Sequence, residues 1–411
     1  MSEQTIYYLL LAIISFDFIL ERVLGYLNRK SSKSPIPKEL DGIYDEEKYQ
    51  KSQAYQAEVS KFSNLSASLS FIITFCAIYF GWFGLLDDWV RTFSPLNMIS
   101  PLLFFGVLFI ISDIIGLPFS IYGTFVIEEK YGFNKMTAKT FILDKIKGYI
   151  LTIIIGGILL AVLIYLINFM TENFWLYFWA VIAAFTLFAN MFYTSLILPL
   201  FNKLVPLEDG QLKESIQSYS EKVDFPLKNI FVMNGSKRSS KGNAFFSGLG
   251  KKKKVVLFDT LIDKHTIEEL TAIFAHEVGH YKKKHIIFST IFSIGLMGFM
   301  LYLFSLIAFN AETSWAMGGQ TSALHLNLLA FGILYSPISR ILGIIGNIMS
   351  RKNEYEADNY AKTTYKAEPL ITGLKRLSSD HLSNLTPHPA YVFVHYSHPP
   401  LKERVRVLVE N

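Results

Sequence analysis

Apolar stretches long enough to cross about 30 Å of hydrocarbon as helices recur along this chain. Seven such runs are read from the sequence: Ile6–Leu27, Ser66–Leu86, Pro101–Tyr122, Gly148–Met170, Phe174–Leu200, Ile286–Phe309 and Ser322–Met349. The first lacks a basic start and a small-residue cleavage site and ends at Asn28-Arg29-Lys30, so it is a retained span rather than a signal peptide. Its Asp17 and Glu21 are costly in lipid and are expected to face other helices or a watery interior. Pro118 and Pro337 predict kinks in the third and seventh spans. A polar, Lys- and Glu-rich loop follows the first span up to Lys61.

The longest polar interval, Asn202–His285, carries elements of its own. Leu212–Val223 has the spacing of an amphipathic helix, Asn229–Met233 and Val255–Phe258 read as strands, and Gly242–Gly248 reads as an extended segment. Lys251–Lys254 reads as a solvated turn or a contact with lipid headgroups. From Thr266 onward the apolar residues Ile273, Phe274 and Val278 give a helical period. The expected units are therefore 1–201, with spans one to five and cytoplasmic loops 28–65 and 123–147; 202–285, the soluble insertion; 286–349, spans six and seven; and 350–411, a cytoplasmic C-terminal part.

Composition agrees with a polytopic membrane protein: half the residues are apolar, with 35 Phe and 22 Tyr, and only 18% are charged, against about a quarter in soluble domains. The net charge of +5 is small for 411 residues and leaves no nucleic-acid footprint. The lone cysteine, Cys76, rules out disulfides within the chain and a cysteine-rich zinc site. Lys and Arg concentrate after spans one, three, five and seven, whereas the loops near Asp87–Ser100, Thr171–Asn173 and Asn310–Thr321 hold only Arg91. The positive-inside rule then puts the N-terminus outside and the large insertion and tail in the cytoplasm.

The candidate chemistry lies in Ala275-His276-Glu277-Val278-Gly279-His280. Histidines four apart on a helix share a face, so His276 and His280 can reach one metal ion. Glu277 lies about 100° round the helix, where a general base for a metalloprotease's water belongs. A catalytic zinc takes three protein ligands, so a third is needed. Two crossings after His280 return the chain to the same face at Arg351–Asp358, where Glu354 and Asp358 share a helical face. One of them can bind metal while the other accepts the N–H of a ligand histidine. Glu356 points elsewhere and is expected to have no part.

Taken together, these pieces resemble the seven-span CAAX prenyl endopeptidases, membrane zinc proteases of the gluzincin type. The matching segments are Glu128-Glu129-Lys130-Tyr131-Gly132-Phe133-Asn134-Lys135, Gly242-Asn243-Ala244-Phe245-Phe246, Val256-Leu257-Phe258-Asp259-Thr260-Leu261, His276 to His280, Glu354 to Asp358, and Ser397-His398-Pro399-Pro400-Leu401 with Arg404. The resemblance implies a mainly α fold: a seven-transmembrane-helix barrel enclosing a large chamber, with a cytoplasmic gluzincin-like zinc protease domain. It implies one Zn2+ held by His276, His280 and Glu354, with Glu277 as general base and Asp358 orienting a ligand histidine. Asn243, Ala244 and Phe245 would hold substrate as an added strand. His398 and Arg404 would stabilise the oxyanion.

The implied reaction removes the last three residues after a prenylated cysteine, so the partners are a peptide substrate, prenylated or unmodified, and the lipid bilayer; a monomer is expected. A compact tail ending at Val409-Glu410-Asn411 favours a bacterial inner membrane, with the endoplasmic reticulum as the eukaryotic counterpart. Two alternatives stand beside this reading. One is a membrane quality-control zinc protease; the other is a non-enzymatic seven-helix transporter, for which intramembrane Asp17 and Asp113 would be suited.

Overall fold

The computed structural model describes residues 1–93, 98–225, 230–247 and 254–410. The chain enters through α1 (Glu3–Ser31), capped by Ser2, and returns through α2 (Glu46–Tyr79). Asp45 caps α2 by accepting from the Lys48 amide at 2.7 Å, so much of the polar interval expected as a loop is helix. The second span ends at Tyr79, and Gly81 (φ +66°) turns the chain into α3 (Trp82–Phe93), where a loop was expected. Next, α4 (Ser100–Tyr122) runs through Pro118 and continues into a wide turn at Gly123–Glu128.

The fourth and fifth spans form one helical run, Ala138–Phe201. It comprises α5 (Ala138–Leu151), α6 (Gly157–Met170), α7 (Phe174–Phe192) and α8 (Leu198–Phe201), turning at Thr171, whose φ is +46°. The expected loop 123–147 is thus partly helical at both ends.

The soluble insertion follows with β1 (Leu204–Pro206), α9 (Gln211–Lys222), β2 (Ile230–Met233), β3 (Ala244–Ser247), β4 (Lys254–Phe258), α10 (Asp259–Ile262) and α11 (Ile267–Lys282). The sheet order is β1-β2-β4-β3, with β2 parallel to β4 and the outer pairs antiparallel. Three residues including Pro206 are too few to show a period, which is why β1 was not legible. Asn229, Gly248 and Lys251–Lys253, parts of the expected strands and basic turn, lie outside the described residues.

The chain re-enters the membrane region through α12 (His285–Ser305), turns through α13 (Ala311–Ala316), and runs out along α14 (Leu324–Thr364). At 41 residues, α14 is roughly 60 Å long, twice the hydrocarbon thickness. The last span and the Arg351–Asp358 stretch are therefore one rod. It continues through Pro337, and α15 (Ala367–Asp380), α16 (Pro389–His395) and α17 (Leu401–Val409) complete the chain.

Among the described residues, five helices are long and apolar enough to cross a membrane: Glu46–Tyr79, Ser100–Glu128, Ala138–Phe201, His285–Ser305 and Leu324–Thr364. Large apolar side chains such as Ile114, Ile153, Ile291 and Ile341 stand exposed along them, a cost in water that lipid removes. The acids expected within the membrane are paired. Asp17 and Glu21 meet Arg340 at 3.0 and 2.7 Å, and Asp113 meets Lys145 at 2.6 Å and the Tyr149 hydroxyl at 2.5 Å. The soluble core centres on Val255 and Leu257 of the sheet and on Leu270, Phe274, Ala275 and Val278 of α11.

Candidate active site

Helix α11 is fixed at its start by a reciprocal cap. Thr266 Oγ1 accepts from the Glu269 amide at 3.2 Å, and Glu269 Oε2 accepts from the Thr266 amide at 3.0 Å, satisfying two donors the first turn leaves open. Its core face is anchored by fully buried Phe274, Ala275 and Val278. Gly279 sets the approach to α14, since a Cβ there would stand 3.0 Å from the Cα of Ala357. That close contact brings Glu354 and Asp358 against the two histidines.

The Nε2 atoms of His276 and His280 are 3.1 Å apart. Glu354 Oε2 is 3.4 Å from the first and Oε1 is 3.2 Å from the second, and one ligand atom from each residue lies within 4.8 Å of the others. Neighbouring ligand atoms on a tetrahedral zinc stand about 3.3–3.5 Å apart for bonds of about 2.0–2.1 Å. The two histidine nitrogens stand near this spacing, and Glu354 turns a different oxygen to each of them, so the three side chains are placed to share one zinc ion. Glu354 Oε2 is also buried and makes only long contacts, 3.4 Å to His276 Nε2 and 3.4 Å to Arg404 Nη1, so its hydrogen-bonding capacity is left for a cation to use.

Behind the ligands, Asp358 Oδ1 accepts from His276 Nδ1 at 2.8 Å, the outer bond that fixes a ligand histidine's tautomer. Asp358 is itself gripped by Arg404, whose Nε and Nη2 lie 2.8 and 2.6 Å from its two oxygens. Both side chains are buried. The third guanidinium nitrogen, Nη1, is 3.4 Å from Glu354 Oε2. Burial opposes a charge on His276, but the hydrogen bonds to Asp358 and Glu354 outweigh it and push its pKa up to about 9. Burial also raises the pKa of Glu277, in the direction that suits a general base near neutral pH.

His398 reaches the site from the α16–α17 connection, with Nε2 3.3 Å from Glu354 Oε1 and a largely exposed side chain. Its segment is tied to α14: Arg351 Nη1 donates to the Tyr396 carbonyl at 2.5 Å, and Asn347 Nδ2 to that of Val394 at 2.7 Å. Neither tether was anticipated, because a side chain bonding a remote carbonyl leaves no periodic signal.

Ala244 and Phe245 lie on β3, the strand at the outer edge of the sheet, paired through Ala244↔Leu257 and Phe245↔Val256. Asn243 precedes the strand; its carbonyl accepts from the Phe258 amide at 3.0 Å and its Oδ1 from the Ala244 amide at 2.9 Å. Phe246 stacks on Tyr281, the neighbour of His280, at a centroid distance of 6.0 Å, so β3 runs beside the end of the catalytic helix.

Two residues at this site were missed. His285 Nδ1 is 3.0 Å from His280 Nδ1, and its Nε2 is 3.1 Å from Glu356 Oε2. Glu356 is therefore not idle, contrary to the expectation from its position about 200° round the helix from Glu354. Two helices pack on α14 here: α11 takes one face, and the start of α12 takes the flank that Glu356 occupies.

Residues 25–203 match the family model described as CAAX prenyl protease N-terminal, five membrane helices, and residues 206–411 match peptidase family M48. The chain is 35% identical over 401 residues to CAAX prenyl protease 1 homolog of Arabidopsis thaliana, covering 95% of this chain and 94% of that one. It is 35% identical over 420 residues to CAAX prenyl protease 1 of Saccharomyces cerevisiae, covering 95% and 92%. The crystal structure of S. mikatae Ste24p superposes with a TM-score of 0.93 at 33% identity, over 98% of this chain and 99% of that one. The fold is mainly helical and Ste24p-like, and the chain is a multi-pass membrane protein. With His276, His280 and Glu354 gathered as a zinc peptidase requires, and with both halves of the chain matched in order, this protein belongs to the CAAX prenyl protease 1 family of M48 zinc metallopeptidases.

Proposed function

We propose that this chain is an integral-membrane zinc metalloendopeptidase that cuts near the C-terminus of CAAX-type prenylated proteins. One observation carries the reading: His276, His280 and Glu354 converge within 4.8 Å of one another, next to Glu277, in a chain of this family. Bound to these three side chains, zinc would supply the Lewis acidity that activates a water near neutral pH and polarises the scissile carbonyl. Glu277 accepts the proton from the attacking water and hands it to the leaving amine. Asp358 keeps the His276 ring in the tautomer and orientation a ligand needs.

His398, exposed beside Glu354, donates to the carbonyl oxygen as negative charge builds there. Arg404 acts from behind: two of its nitrogens are spent on Asp358, so its positive charge reaches the centre through Asp358 and Glu354. The free side of β3, from Ala244, adds an extended peptide as a further strand, with Asn243 fixing the turn into it.

Counting α1, α2, α4, the two passages of Ala138–Phe201, α12 and α14 gives seven crossings, arranged as a barrel around a chamber. A cavity of about 470 Å³ between α12 and α14 reaches from Met300 and Tyr335 to Asn353, the neighbour of Glu354, and offers apolar volume for an isoprenoid. The charge asymmetry of the loops supports an outside N-terminus and a cytoplasmic site. The plant and fungal relatives favour the endoplasmic reticulum over a bacterial membrane.

Purified protein should remove three residues from farnesylated and from unmodified CAAX peptides, and a chelator should stop both reactions. Glu277→Gln should keep zinc and lose activity; His276→Ala should lose both. Zinc-loaded wild-type protein that cuts neither peptide, or an active Glu277→Gln protein assayed free of host protease, overturns the reading.

A further inference from the structure

Against His280, on the side away from the ligand cluster, stands another imidazole, that of His285. His285 is buried at the first position of α12, and its Nδ1 lies 3.0 Å from His280 Nδ1. Its Nε2 lies 3.1 Å from Glu356 Oε2. The directions of these bonds follow from simple accounting. His280 turns its Nε2 to the ligand cluster, so its Nδ1 carries the hydrogen and donates. His285 Nδ1 accepts that bond, which leaves the His285 hydrogen on Nε2, aimed at the Glu356 carboxylate. Each of the three groups has one role that satisfies all of them.

The backbone is shaped for this contact. Lys284, between α11 and α12, sits at φ +60°, a left-handed conformation that costs a non-glycine residue energy and persists where the surroundings demand it. That turn folds the start of α12 back under His280. Glu356 is 38% exposed and lies 3.9 Å from Lys352, so the chain of bonds runs from the buried ligand to the solvent edge.

We infer that His285 and Glu356 are positioning residues that orient the zinc ligand His280 through a two-step relay, His280 to His285 to Glu356. The inference rests on the zinc-peptidase reading and adds the support of its second histidine.

The test is the rate at which detergent-purified holoenzyme releases zinc to a chromogenic chelator, with thermal unfolding of each metal-free variant as a check on folding. His285→Leu, which fills the space without hydrogen bonds, should release zinc about tenfold faster or more, the usual cost of an outer partner. His285→Gln offers an amide with both an acceptor and a donor and should stay within about threefold of wild type. Glu356→Ala, at a half-exposed position, should release zinc several-fold faster and answers the question if the leucine variant does not fold. Release unchanged in His285→Leu or in Glu356→Ala overturns the relay, as does equal acceleration by leucine and glutamine, which would mark a role in shape alone. Wild-type protein that holds no zinc overturns the peptidase reading itself, a separate outcome visible before any variant is made.

Discussion

His276 and His280 stand one turn apart on α11, and the structure supports them by different means. His276 meets a carboxylate directly: Asp358 at 2.8 Å, fully buried and locked by a two-point bond from Arg404. His280 meets a second imidazole, and the carboxylate at the end of that line, Glu356, is 38% exposed. Charge-assisted bonds strengthen in a dry setting and weaken where water and ions reach them. The first support is therefore stiff and intolerant, and the second is adaptable. Breaking the first leaves a buried charge without a partner; breaking the second leaves one that water can solvate.

The sharpest way to break the contrast is Asp358→Ala. It strands the Arg404 guanidinium and the His276 N–H, and should cost about 3–5 kcal/mol, read by denaturant unfolding in detergent. Zinc affinity should fall by about 10–100-fold alongside. Unfolding within 1 kcal/mol of wild type, as an upper mark of roughly the value for exposed pairs, would place Asp358 with Glu356 and end the distinction.

Gly279→Ala strikes both supports at once. The added Cβ would stand 3.0–3.2 Å from Ala357 and Tyr360, so α11 and α14 must part, at about 1–3 kcal/mol. A thermal-shift assay with and without added zinc should show lower stability and weaker stabilisation by the metal. In Arg404→Lys a point charge replaces the fork, losing one of two bonds to Asp358; the same assay should show a loss of about 1–2 kcal/mol. Glu356→Gln should have the smallest effect, below about 1 kcal/mol, because an amide oxygen still accepts from His285. A larger loss there than in Arg404→Lys would reverse the ranking of the two supports.

Much of the zinc site is legible in the sequence. His276, Glu277 and His280 form a local motif, and a helix by its period alone puts such residues on known faces. Glu354 and Asp358 could be paired with it by counting crossings, since two passages return a chain to the face it left. Their separate duties were not fixed by spacing, because both carboxylates share one face. The contacts of Arg404 with Asp358 and Glu354, 46 and 50 positions away along the chain, leave no local pattern to read. Helices α2 and α14 extend beyond the apolar spans for a related reason: hydropathy marks where lipid begins, while hydrogen bonding lets a helix continue past that border.

The sequence by itself determined the membrane class, the apolar segments, the zinc motif and the helical faces, since these depend on the order of residues within one element. Only the tertiary structure decided that Glu356 serves His280 through His285, that Arg404 backs Asp358, and that Arg351 steadies the segment bearing His398. Those pairings join residues from different elements. They are set by how closely helices approach, here through the bare Cα of Gly279 against Ala357, and by a left-handed turn at Lys284 that no periodicity announces.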